Sequence, residues 1–203
     1  MRRVFTVAWL AILLGFAIEA LLLAVAAVFG GLASVRPFVA DLVRQVSWSL
    51  VVCAGIGVGT AAATARPAVM GFLGLLSASA AFILARSLHQ GASAALGLAV
   101  AAPAGPAFVL IAGVKAVEYA LFGMAVAWLS KRGDAGLRAY VLVGFAAGAV
   151  FGGLVLALMA TAAPLPAATL LSRAVDEILF PVGCALVIWV SGVLTQAAKP
   201  SGD

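Results

Sequence analysis

Residues 4–29 read VFTVAWLAILLGFAIEALLLAVAAVF, an unbroken apolar run carrying a single charge, Glu19. A helix that crosses the hydrocarbon of a bilayer needs about 20 mostly apolar residues, and this run exceeds that length. Met1-Arg2-Arg3 in front of it has the look of a secretory leader. Leaders carry apolar cores of only about 7–15 residues, so the segment reads as a retained first span.

Five further runs of the same kind follow at residues 45–64, 67–85, 107–130, 139–162 and 174–196. The expected fold is all-α: one polytopic integral membrane domain over residues 1–203 with six transmembrane helices. Composition agrees, with 66% hydrophobic and 9% charged residues. Soluble domains hold about 45–50% apolar and about 25% charged residues, so this chain has too few polar groups to cover a water-facing surface. The net charge of +5 sits mostly at the ends of apolar runs, where basic residues set topology and meet lipid headgroups. No basic patch is interleaved with exposed aromatics, so the lipid bilayer is the expected partner and nucleic acid is not.

Ala65-Arg66-Pro67 leaves room only for a tight turn between the second and third spans, and Lys131-Arg132-Gly133-Asp134 makes a polar turn between the fourth and fifth. Alternating the connections places Arg2, Arg3, Arg66, Lys131, Arg132, Arg138 and Lys199 on one side. Arg36, Arg44, Arg86, Lys115 and Arg173 fall on the other. Positive residues stay in the cytoplasm, which predicts cytoplasmic termini in a bacterial inner (plasma) membrane. Trp9, Trp128 and Tyr140 near one end and Trp48 near the other suit interfacial belts.

The even spans look alike from their basic residue onward. They read Arg44-Gln-Val-Ser-Trp-Ser-Leu, Lys115-Ala-Val-Glu-Tyr-Ala-Leu and Arg173-Ala-Val-Asp-Glu-Ile-Leu. Three helix-hairpin repeats, 1–65, 66–132 and 133–198, would explain this. Three two-helix repeats resemble the mitochondrial carrier plan, but the chain is short and its odd spans lack that family's proline–acid–base signature. Six spans in about 200 residues also suit the vitamin-binding subunits of energy-coupling-factor importers, with no motif to secure the match, so no family follows from the sequence.

Charges within apolar spans cost about 2.5–3.5 kcal/mol each at a helix centre on insertion scales, so they should face the interior and have partners. Glu19 lies roughly 24 Å along its helix from Arg3, and Glu118 roughly 20 Å from Lys131, at 1.5 Å per residue. The two therefore reach similar depth. Lys115 precedes Glu118 by three positions, within side-chain reach, so a Glu19–Lys115–Glu118 cluster is expected. In the sixth span Asp176 and Glu177 follow Arg173 and precede Pro181. Pro181 removes the helical donor to the Glu177 carbonyl, which could then meet a cation or polar ligand. Alternatively, both acids could serve the helix N-terminus.

His89 reads as a loop residue just past the third span. Gly91 to Pro106 reads as a re-entrant or interfacial helix, and Arg36 to Leu42 as a short interfacial segment. Gly144, Gly148 and Gly152 form a doubled GxxxG that invites a close helix neighbour. Cys53 and Cys184 lie in apolar segments without a CxxC, and His89 is the only histidine. Neither a metal nor another cofactor is expected, and no nucleophile–base pair suggests an enzyme.

The sequence thus favours a protein that binds or transports a small-molecule ligand through a pocket in the outer half, formed by Glu19, Lys115, Glu118, Asp176 and Glu177. The competing expectation is an accessory or assembly subunit of a larger membrane complex, or a homo-oligomer joined through the glycines. Orientation is directly testable. In a cysteine-free background, Gln90→Cys should be modified by an impermeant maleimide only from outside the cell and Gly133→Cys only from inside. The reverse pattern would overturn the topology.

Overall fold

The computed structural model of the chain describes residues 2–29, 35–61, 66–99, 106–132, 135–162 and 165–197. The elements are α1 (Arg2–Val28), α2 (Val35–Ala61), α3 (Pro67–Ala95), α4 (Pro106–Lys131), α5 (Leu137–Ala147), a π-helical turn (Gly148–Gly152), α6 (Gly153–Ala162) and α7 (Ala167–Ala197). The α5, π and α6 pieces run as one span. Six helices are long and apolar enough to cross a membrane, and the chain is a polytopic α-helical membrane protein.

Helix starts follow proline chemistry. Pro67 and Pro106 open α3 and α4, Pro37 sits in the first turn of α2, and Pro166 directly precedes α7. The first turn of a helix has no use for the N–H that proline lacks. These starts correct the sequence reading in three places. The Arg36–Leu42 stretch is the beginning of α2 and no separate segment. His89 lies on α3, which runs to Ala95, so the expected re-entrant helix is in part the last turn of α3. There Gly97, at φ +69°, closes the helix as Leu98 N–H reaches the Ser93 carbonyl at 2.8 Å, a glycine-terminated helix end. Residues 100–105 of that expected segment lie outside the described residues. Finally, α7 begins at Ala167, which puts Asp176 and Glu177 in its third turn, too far in to cap it.

The extra length has a physical meaning. The 31 residues of α7 span roughly 46 Å at 1.5 Å per residue, against a hydrocarbon core of about 30 Å. The starts of α2, α4 and α7 and the end of α3 all lie at one end of the bundle, opposite the start of α1 and the end of α7. The polar extensions build a rim there.

Successive helices are neighbours, and α7 returns to pack on α1 as well as on α5, with α2 touching it across the interior. The core between them holds Val7, Val52, Ile56, Met70, Phe122, Val126 and Ile188. Hydrogen bonds fix the pairings in mid-span and at one end: Ser49 donates to the Ala11 carbonyl at 2.6 Å, and Ser130 and Tyr140 share a bond of 3.0 Å. Tyr140 is therefore a buried packing residue and no interfacial anchor, whereas Trp9 and Trp128 are about half exposed.

The glycine stripe is used inside the chain. A Cβ on Gly144 would lie 2.6 Å from the Val182 Cα, one on Gly148 2.7 Å from the Glu177 carbonyl oxygen, and one on Gly152 2.6 Å from the Glu177 Cβ. The carbonyl released by Pro181 is thus covered by the backbone of Gly148, and α7 continues unbroken through the proline. Gly148→Ala should force the two backbones apart and cost about 1–3 kcal/mol, as overpacking does. Gly153→Ala, whose new methyl meets nothing within 4 Å, should be neutral or slightly stabilising, since alanine favours a helix over glycine by roughly 0.5–1 kcal/mol. Thermal unfolding in detergent compares them, and equal effects would refute the close contact.

Candidate functional site

At the rim end the helices surround a cavity of about 390 Å³. From α2 come Asp41, Arg44, Gln45 and Trp48, and from α3 come Phe82, Arg86 and His89. Phe108, Lys115 and Tyr119 are presented by α4, Val155 and Met159 by α6, and Arg173, Asp176, Glu177 and Phe180 by α7. The three sequence motifs mark the lining faces. Positions four apart share a helix face, and the first and fifth residues of each motif all line the cavity: Arg44 and Trp48, Lys115 and Tyr119, Arg173 and Glu177. The fifth span carries a π turn that the first and third do not, so the hairpins are not identical copies.

Lys115 is the centre of the floor. Its Nζ donates to Glu118 Oε2 at 2.8 Å and also to Glu177 Oε2. The residue is 7% exposed and Glu118 wholly buried. A buried ammonium without partners would be untenable in this setting, and two carboxylates from α4 and α7 supply them. Beside this group Gln45 Nε2 donates to Asp176 Oδ1 at 2.9 Å, tying α2 to α7. At the rim Asp41 Oδ1 faces Arg44 Nε and His89 Nε2, each at 3.4 Å, and the Arg86 guanidinium lies 4.3 Å over the Phe108 ring.

Aromatic rings close the floor. Trp48 lies 5.8 Å from Tyr119 and 6.0 Å from Phe180, with Tyr119 6.1 Å from Phe180. Trp48 is thus a wall of the cavity and no member of an interfacial belt. Beneath the rings Cys53 and Cys184, both buried, bring their sulfurs to 3.1 Å.

Of the residues singled out in the sequence, Lys115, Glu118 and Glu177 come together and Asp176 stands beside them. Glu19 does not join them. It is buried, with Oε2 unpartnered, and the charges that act on it are Asp41, Arg44, Asp176 and Arg173. The reason is lateral position: α1 packs on α2 and α7, which stand between it and α4. Sequence reasoning passed over Gln45, Phe82, Tyr119 and Phe180 as lining residues, although the recurrent motif contained two of them. Three more buried polar atoms lack partners: Gln45 Oε1, Glu118 Oε1 and the Tyr119 hydroxyl. Among the described residues no three His, Cys, Asp or Glu side chains converge as a metal set would.

No family model, curated protein or solved structure matches the chain. The site therefore has to be judged on its own chemistry. Lys115→Met alone leaves two buried acids without their cation, and breaking such a pair costs about 3–5 kcal/mol. Lys115→Met with Glu118→Gln should cost less than the two single changes added together, by about 0.5–3 kcal/mol of coupling. Strict additivity in detergent melts would mean that the two residues do not act together.

Proposed function

We propose that the protein binds a small amphiphilic solute in this cavity, as the recognition step of moving it into or across the membrane. The observation that carries this reading is the convergence of charged, amide and aromatic side chains from four helices on one opening. Ligand sites are typically concave spaces of about 300–1,000 Å³, mostly apolar, with a few convergent polar groups. Lys115, Gln45, Asp176 and Glu177 supply those polar groups, and Trp48, Phe82, Tyr119 and Phe180 supply the apolar wall. The rival reading, an accessory subunit, leaned on the glycine stripe as a docking groove. Because α7 fills that stripe, a partner has no such groove to occupy.

The test is native mass spectrometry of the full chain purified in mild detergent. The wild type should carry a small-molecule adduct. Ile111→Trp, one turn rimward of Lys115 on the cavity face of α4, narrows the cavity and should lose it while melting at a similar temperature. Identical spectra with no adduct on either protein would overturn the proposal.

A further inference from the structure

The two ends of the cavity differ in charge. Near the rim stand Arg44, Arg86 and Arg173 with one acid, Asp41. On the floor Lys115 stands with three acids, Glu118, Asp176 and Glu177. Along α7 Asp176 and Glu177 lie roughly 4.5–6 Å from Arg173, and Phe180 roughly 10 Å, at 1.5 Å per residue, so opposite fields act within one small molecule's length. Apolar walls sharpen such a field.

The floor also holds an unsatisfied acceptor. Gln45 turns Nε2 toward Asp176 and donates to its Oδ1. That leaves Gln45 Oε1 as a buried acceptor without a partner, on a residue only 1% exposed. Lys115 is hydrogen-bonded to two carboxylates, so it does not reverse the sign of the floor. One turn deeper than these groups, Trp48 and Phe180 close the cavity, and the faces of such rings attract cations and flat ring systems.

We propose that the solute is a zwitterion bearing a flat ring. Its donor-bearing cationic nitrogen lies on the floor at Gln45, Asp176 and Glu177. Its ring lies deepest, against Trp48 and Phe180, and its carboxylate, on the same side of the ring as the nitrogen, faces Arg44 and Arg173 toward the rim. This assignment rests on the solute-binding reading above.

Four indole compounds test it, each titrated into the full-length protein in detergent with thermal shift and calorimetry as readouts. They are L-tryptophan as zwitterion, tryptamine as cation, 3-indolepropionate as anion and 3-methylindole as neutral ring. Tryptophan should bind most tightly, by about tenfold over either singly charged probe, which corresponds to about 1.4 kcal/mol. Arg173→Gln should erase the advantage of tryptophan over tryptamine, and Gln45→Leu should erase its advantage over 3-indolepropionate. Tightest binding by 3-indolepropionate, or 3-methylindole binding as well as tryptophan, overturns the assignment. If none of the four binds while the purified wild type carries an adduct by mass spectrometry, the zwitterion class fails and solute binding stands. If none binds and no adduct is found, both fail.

Discussion

A lysine ammonium held at 7% exposure inside a membrane protein must be neutralised on the spot, and that requirement organises this molecule. Lys115 is satisfied by Glu118 on its own helix and by Glu177 on α7. The first partner is local and follows from i,i+3 spacing. The second is remote and holds α4 and α7 together. Asp176, the neighbour of Glu177, receives Gln45 and so draws in α2. Its other contacts make α7 the hub: it takes the glycine face of α5, packs Gly183 on Leu14 of α1, and sets Cys184 against Cys53 of α2. Removing the second carboxylate would therefore loosen more than one ion pair.

Much of this was legible in the sequence, and the misses share causes. Apolar runs located all six spans, because hydrocarbon solvation is a direct function of side-chain polarity. Hydropathy measures only the stretch inside hydrocarbon, however, so it missed the helical extensions that build the rim. Pro37 and Pro166 were the available signals for the early starts of α2 and α7. The meeting of Lys115 with Glu118 could be read from spacing. Its meeting with Glu177 could not, because spacing along one helix says nothing about which helix stands opposite. Glu19 shows the same limit: depth arithmetic gave its level but not its side of the bundle. Trp48 was read from its place near a helix end, yet its i+4 relation to Arg44 already put it on the same face as a charge, which suits an interior wall better than a lipid belt.

The fifth span shows how the backbone solves a packing conflict. Its first half must lie close enough to α7 to cover a carbonyl that Pro181 leaves without a donor, which requires Gly144 and Gly148. Its second half must fill space between α4 and α7 with side chains. A π turn holds more residues per turn than an α-helix, so α5 and α6 run out of phase. α5 and the π turn present Gly144, Gly148 and Gly152 to α7, and α6 presents Val155 and Met159 to the cavity. Glycines that looked available to a partner are in this way consumed by the protein's own most central helix.

The cavity has no polar continuation toward the terminal end of the bundle among the described residues. Ser77 and Ser191, buried farther in, spend their hydroxyls on carbonyls of their own helices, at 3.1 and 2.8 Å. The thiols of Cys53 and Cys184 face each other, and Ile56, Val126 and Ile188 fill the remaining space. A solute resting on Lys115 therefore meets a closed floor of Trp48, Tyr119 and Phe180. Those rings belong to α2, α4 and α7, the helices that Gln45–Asp176 and Lys115–Glu177 hold together. The groups proposed to recognise a solute are thus the same groups that clamp the floor. A solute that takes a hydrogen bond from either pair competes directly with helix–helix attraction. Such competition is what differential binding to two arrangements of one structure requires: the energy gained at the pocket and the energy lost between helices are exchanged at the same atoms.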